Sequence, residues 1–318
     1  MPIHVIHFEH QGRALWGVVR NKTITPIPGD FASTAALVRG VDLAALAALG
    51  GATLDEREVT LLSPVTRNQQ FICQGANYRQ HMIESGLDPD AKTYNMIFTK
   101  APSCIVAADH AVIRPRHVQF LDYEIELGLV LKRDVTTKLR VSDEDLHELV
   151  AGIVVVNDYS ARDIQIPQTQ FYKGKSYRTF GPVGPYLCLL DRADFAALRN
   201  LELELKVNGQ VRQRDSTANL IYSPAETLSE LSAVHDLAAG DLIATGTPAG
   251  CALSIPSPTM QKLGALIPER KKWQVFLKVQ AKRSQYLHSG DVVEARIASP
   301  DGRIDLGTQR NVVADETP

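Results

Sequence analysis

The stretch DYEIELGLVL, residues 122–131, sets Asp122, Glu124 and Glu126 two residues apart. Side chains of an extended chain alternate between faces, so the three carboxylates share one face, and Tyr123, Ile125, Leu127, Leu129 and Leu131 share the other. The pattern is that of a half-buried strand, yet like charges aligned in a row repel unless water screens them or a cation lies among them. Carboxylate oxygens suit hard divalent cations such as Mg²⁺, Mn²⁺ or Ca²⁺, whereas zinc favours histidine and cysteine. Residues 122–126 alone also fit a solvated strand edge carrying surface acids. The run GIVVVND shifts the balance, because an apolar strand that delivers Asp158 at its tip needs a partner for that charge.

Other polar groups follow in loops. YSARDIQ supplies Arg162, Asp163 and Gln165, and a guanidinium there either clamps an anionic substrate or pairs with Asp163 or Glu124. KGKSYRTFGPVGP places Lys175 in a Gly/Pro-rich loop, where backbone approaches a ligand closely. Its GKS is no phosphate loop, since Thr169 stands where the first glycine of that motif is required. LIATGTPAG runs an apolar strand into Thr245, Gly246 and Thr247, whose amides and hydroxyls suit a carboxylate. YRQHMIESG spaces His81 and Glu84 one helical turn apart, so that the carboxylate would orient the imidazole and raise its basicity. His4, His7 and His10 alternate faces on a strand and do not form a joint metal site.

Taken in order, DYEIELGLVL, NDYSARDIQ, GKSYRTFGPVGP and GDLIATGTPAG resemble the fumarylacetoacetate hydrolase (FAH) superfamily. GANYRQHMIESG is similar to the segment that there carries a catalytic histidine and a glutamate three residues later. The likeness spans roughly residues 70–250 and resumes at SGDVVEARI. It implies an α+β, mostly β fold, the mixed β-sandwich roll of that superfamily, and a divalent metal held by Glu124, Glu126 and Asp158, with Mg²⁺ first and Mn²⁺ or Ca²⁺ as alternatives. It further implies His81 and Glu84 as a water-activating pair on a closing segment, Lys175 as the cation beside a developing oxyanion or enolate, and Arg162, Gln165 and Thr247 as substrate-positioning groups.

The implied substrate is a small keto or diketo acid. A cation gripping the 1-carboxylate and 2-oxo group of a 2,4-dioxo acid would polarise that carbonyl, water would attack the 4-carbonyl, and the C3–C4 bond would break to a carboxylic acid and a pyruvate unit. Decarboxylation or tautomerisation of oxaloacetate-like acids uses the same enolate chemistry without an attacking water, and a non-catalytic binding protein is the third reading. The fumarylacetoacetase branch carries one more aspartate ligand shortly before its histidine. Here no Asp or Glu occurs between Val65 and Ile83, and Gln74 stands near that place, which favours a three-carboxylate site and the acylpyruvase or diketo-acid branches. Members of the superfamily form homodimers or larger assemblies.

The elements that must position these residues are short strands, expected at 71–74, 96–99, 104–107, 123–132, 153–158, 186–190, 201–207, 242–245 and 291–297. VNGQV at 207–211 is an Asn-Gly hairpin signal. SDEDLHELVA and SPAETLSELSAV read as helices capped by Ser142 and Ser223. Residues 1–65 form a small α/β N-terminal domain and 66–318 the catalytic domain, with a long segment, 251–289, before the last strands. Within that segment ERKKWQVFLKVQAKR suits a hairpin or helix over the active site or a dimer interface.

Composition closes off other classes. With 44% hydrophobic and 22% charged residues the chain has ample core material, and a net charge of -2 without basic blocks excludes nucleic acid as the main partner. No apolar run is long enough to span a membrane, and MPIHVIHFEHQGR lacks the pattern of a signal peptide. Cys73, Cys104, Cys188 and Cys251 are scattered, as in a cytoplasmic protein with free thiols.

Overall fold

The strand Ile125–Leu131 lies between Val150–Asn157 and Leu242–Ala244 inside an 11-stranded sheet. The computed structural model describes residues 1–255 and 267–317. On one side the sheet continues through Tyr186–Leu189 to Ile3–His10, Arg13–Arg20, Thr23–Pro26 and Leu54–Asp55. On the other it passes through Phe71–Gly75, which runs parallel to Leu242–Ala244, and ends at Met96–Lys100. Residues 1–65 thus extend the large sheet, because Ile3–His10 pairs antiparallel with Tyr186–Leu189. A second sheet of five strands is ordered Gln210–Ser216, Glu202–Val207, Val292–Ala298, Asp305–Asp315 and Val112–Arg114.

The fold is mixed and mostly β, as expected, but both faces of the large sheet are covered. Ile125, Leu127, Leu129 and Leu131 share a core with Leu203, Leu205, Ile297 and Val313 of the smaller sheet. On the opposite face Val130, Val154 and Val156 join Val5, Leu187 and Leu242, closed over by Leu37 and Leu46 from the helices Thr34–Gly40 and Leu43–Ala47. The half-buried strand read from the alternation is therefore corrected: every residue from 122 to 131 is buried. The acids on it have no bulk water to screen them.

Local signals hold where no long-range contact competes. Asn208 and Gly209 adopt positive φ values of 50° and 77° at the hairpin tip. Pro224–Val234 starts at Ser223, whose hydroxyl accepts from the Glu226 amide in a reciprocal capping box. SDEDLHELVA departs from expectation. Only Leu146–Leu149 is helical, and the Ser142 hydroxyl donates to Asp145 instead of capping a helix. Pairing of Val150 with Leu131 draws the chain straight into the sheet, which cuts the helix short. The expected strand 104–107 shrinks to Ile105–Val106 after a 3₁₀ turn at Pro102–Cys104.

In the 251–289 segment, residues 256–266 lie outside the described residues, and Glu269–Gln280 is a helix. It is tied to the preceding loop by Gln280, whose Nε2 donates to the Ser254 carbonyl at 2.7 Å. No helix among the described residues is long and apolar enough to cross a membrane.

Candidate active site

Strand register assembles the acids. Glu126 sits opposite Val156 and Ile125 opposite Asn157, so the next residues in each direction, Glu124 and Asp158, face one another. The Asp158 amide donates to the Glu124 carbonyl at 2.8 Å. Glu124, Glu126 and Asp158 each offer an oxygen within 4.8 Å of the others, and the three residues are 6%, 1% and 0% exposed. Gly246 caps the group: its amide donates to Glu126 Oε2 at 2.9 Å. With φ at +91° and Asn77 Cβ 2.8 Å from where a Cβ would stand, that position needs glycine.

Buried cations surround the carboxylates. Lys175 Nζ donates to Glu124 Oε2 at 2.7 Å, Asp158 Oδ2 at 2.6 Å and Ser160 Oγ at 2.8 Å. It is the last residue of a short helix, Phe171–Lys175, rather than part of an open loop. Gly174 lets that helix lie against Arg162–Gln168, since a Cβ there would meet Gln165 Cβ at 2.6 Å. Arg162 opens the latter helix and is spent on protein groups. It donates to Asp122 Oδ2 at 2.8 Å, Gln165 Oε1 at 2.7 Å and Glu124 Oε1. On the far side, Lys100 at the end of Met96–Lys100 donates to Asp158 Oδ1 at 2.5 Å and the Phe180 carbonyl at 2.7 Å.

Four buried carboxylates (Asp122, Glu124, Glu126, Asp158) thus meet three buried cations (Lys100, Arg162, Lys175). Among the described residues the unmatched charge falls on Glu126, whose Oε1 is buried without a hydrogen-bond partner there. Burial and the charges of Asp158 and Glu124 push the Glu126 carboxyl well above the usual range. Burial also opposes ionisation of Glu124, but Arg162 and Lys175 outweigh it and hold that carboxyl below its ordinary value. An all-oxygen donor set with an orphaned acceptor and surplus negative charge fits a hard divalent cation.

A cavity of about 200 Å³ lies above the acids. His81, Glu124, Glu126, Arg162, Gln165, Lys175 and Thr247 line it, with Phe98, Phe171, Leu253 and Ile255 as apolar wall. Asp158 does not line the cavity itself; it is wholly buried and bonded to Lys175, which does, and to Lys100. His81 comes from the helix Arg79–Glu84, half-buried, with Nδ1 out of solvent and unpartnered. Desolvation lowers its pKa below 6.5, against the opposing pull of Glu124, so the ring is neutral at neutral pH. Glu84 is not brought together with the rest. It lines a neighbouring cavity, and its Oε2 accepts from the Gly250 amide at 3.4 Å. The Thr247 hydroxyl is engaged with the Ile125 carbonyl at 3.0 Å and with Gln213 Nε2 at 2.8 Å.

Comparison with known proteins decides the family. Residues 70–314 match the fumarylacetoacetate (FAA) hydrolase C-terminal family. The chain belongs to that family. It is 37% identical over 220 residues to an oxaloacetate tautomerase of Bacillus subtilis, covering 68% of this chain and 71% of the relative. It is 33% identical over 312 residues to a 2,4-didehydro-3-deoxy-L-rhamnonate hydrolase of Sphingomonas sp., covering 98% of this chain and 91% of the relative. Among solved structures it resembles a fumarylacetoacetate hydrolase from Exiguobacterium antarcticum, with a TM-score of 0.72 and 30% identity, covering 99% and 100% of the two chains.

Within this FAA hydrolase-family site, two residues escaped the sequence reading. Lys100 ends the apolar strand MIFTK as Asp158 ends GIVVVN, so the same signal, a charge closing a buried run, marks both. Asp122, which the sequence left without a role, anchors Arg162 and accepts from the Ala252 and Leu253 amides at 2.7 and 2.9 Å. Gln74 lines the cavity near the position of the missing aspartate, with Nε2 held by Asn95 and Thr227.

Proposed function

We propose that this protein is a divalent-metal-dependent hydrolase that cleaves the C–C bond of a 2,4-dioxo acid, giving a carboxylic acid and pyruvate or a pyruvate-like product. The observation that carries this reading is the surplus carboxylate charge at Glu124, Glu126 and Asp158, beneath a small cavity that a neutral histidine also lines. These three acids would hold the cation, with Mg²⁺ the preferred occupant for an all-carboxylate set. When bound, such a cation supplies Lewis-acid polarisation of the 2-oxo group and stabilises enolate charge.

The protein's own groups do the rest. Lys175, fixed by Glu124, Asp158 and Ser160, keeps a positive charge at the cavity wall where an oxyanion develops. His81, neutral and with a free Nδ1, takes the proton of a water directed at the 4-carbonyl. Phe98, Phe171, Leu253 and Ile255 exclude other water. Arg162, bonded to Gln165, Asp122 and Glu124, holds the site's shape, and Gln165, fixed by Arg162, lines the cavity where the substrate would lie. The assembly is a homodimer or larger, which light scattering of the purified protein would establish.

A second reading, keto–enol tautomerisation of oxaloacetate-like acids, has its own support. Glu84 makes no hydrogen bond to His81, and a lone imidazole suffices to move a proton between carbon and oxygen. Product analysis separates the two. With acylpyruvates and oxaloacetate, the hydrolase reading expects equimolar acid and pyruvate, abolished by chelation and restored by Mg²⁺. Enol–ketone interconversion with no acid released would assign the tautomerase instead.

A further inference from the structure

Next to the carboxylate cavity lies a larger one, about 540 Å³, which Arg212 and Arg283 both line. Arg212 stands on the strand Gln210–Ser216, and its Nε is out of solvent with no hydrogen-bond partner among the described residues. Arg283 follows the helix Glu269–Gln280, and its Nε is held by the Ala252 carbonyl at 2.7 Å. Neither guanidinium is in an ion pair among the described residues. Residues 256–266, PSPTMQKLGAL, contain no Asp or Glu that could supply one. Two arginines that line one concavity and make no direct ion pair among the described residues present a fork-shaped set of donors that matches a carboxylate.

The two cavities adjoin. Leu253 and Ile255 line both, and the helix Arg79–Glu84 turns His81 toward one and Glu84, a turn later, toward the other. Leu253 and Ile255 form the boundary between the two cavities, so a substrate whose 2-oxo acid head lies on the acids would have to lay its tail along these two side chains to reach the arginines. Glu84 offsets one of the two positive charges, which leaves the wall with a single net positive charge, suited to one carboxylate. We infer that the Arg212–Arg283 cavity is a distal anion subsite and that the substrate is a dicarboxylic 2,4-dioxo acid with its second carboxylate beyond C4. This rests on the diketo-acid reading above and adds the charge of the tail. Arg212 belongs to the smaller sheet's hairpin and Arg283 follows the helix Glu269–Gln280, so both of these elements would take part in selecting the substrate.

The test uses succinylpyruvate and its methyl monoester at the distal carboxylate, with the full-length protein and Mg²⁺. The readout is the ester-to-acid ratio of KM, or of Kd by calorimetry where no turnover occurs. We expect a ratio of about tenfold or more in the wild type, falling towards one in Arg212→Gln and in Arg283→Gln. Arg212→Lys, which keeps the charge, retains most of the preference. Because Arg212 Nε has no hydrogen-bond partner among the described residues, Arg212→Gln carries the test even if Arg283→Gln loosens the loop. A wild-type ratio near one, or a ratio that survives in the double variant, overturns the subsite. Preferential binding of the acid without cleavage supports the subsite and fails the hydrolase reading. Cleavage of both compounds with equal KM does the reverse.

Discussion

In the buried ionic cluster that serves as the floor of the site, Lys100, Lys175 and Arg162 are each bonded to carboxylates that are themselves buried. The helix Arg79–Glu84 above has no side-chain N-cap, buries none of its residues and leaves His81 Nδ1 without a partner. Both regions hold residues of the proposed site, but only the floor is overdetermined. Removing one member of a buried ion network strands its partners, at a cost of about 3–5 kcal/mol. Repositioning a short surface helix disturbs few contacts and little buried area. Under the proposed function this difference would divide the tasks: charge fixed before the substrate arrives, and a proton-handling His81 on an element that can move to admit it.

The sharpest way to break that contrast is Asp158→Asn. It removes the charge facing both Lys100 and Lys175, so stability should fall by about 3–5 kcal/mol in urea unfolding, and metal-dependent turnover should vanish. A loss under about 1 kcal/mol would show that the floor is not overdetermined. Glu126→Gln should act in the opposite sense on the metal-free protein. Because the Glu126 carboxyl is pushed above its ordinary 4.5, its ionisation opposes folding, and metal-free stability declines as pH rises from 4.5. Glutamine should flatten that slope and abolish the rise in Tm that Mg²⁺ produces, both readable by calorimetry across pH.

On the helix, His81→Gln should lower kcat for hydrolysis about 10²- to 10⁴-fold while leaving unfolding within about 1 kcal/mol of wild type. In the wild type, kcat/KM should fall on the acid side with a midpoint below 6.5, because burial depresses the His81 pKa and the proton acceptor is the neutral ring. The smallest effect is expected for Glu84→Gln, less than about tenfold in kcat, since its carboxylate does not touch the imidazole. A loss as large as that of His81→Gln would mean that the helix closes to bring Glu84 onto the ring.

How much of this was legible depended on whether a feature is local. The Asn208-Gly209 hairpin and the Ser223 cap are written in adjacent residues, and the structure keeps both. Ser142 carried an equal cap signal and lost to sheet pairing at Val150. The acids and Lys175 were legible as types in a pattern, but Lys100 was not, because a lysine closing a strand is ordinary until a carboxylate is found opposite it. Arg212 and Arg283 are not legible as a pair for the same reason: 71 residues apart in sequence, they become one feature only by lining a common cavity.

By itself, the sequence determined that Glu124 and Glu126 share a face, since side-chain parity is a property of any extended chain, and that Asp158 closes a buried strand, since apolar runs bury themselves. Only the tertiary structure decided that Glu124 stands opposite Asp158, that both faces of the strand are covered, and that three cations leave Glu126 unmatched. Register and burial come from pairing between distant segments, and charge balance in a dry interior depends on which side chains that pairing brings within a few ångströms.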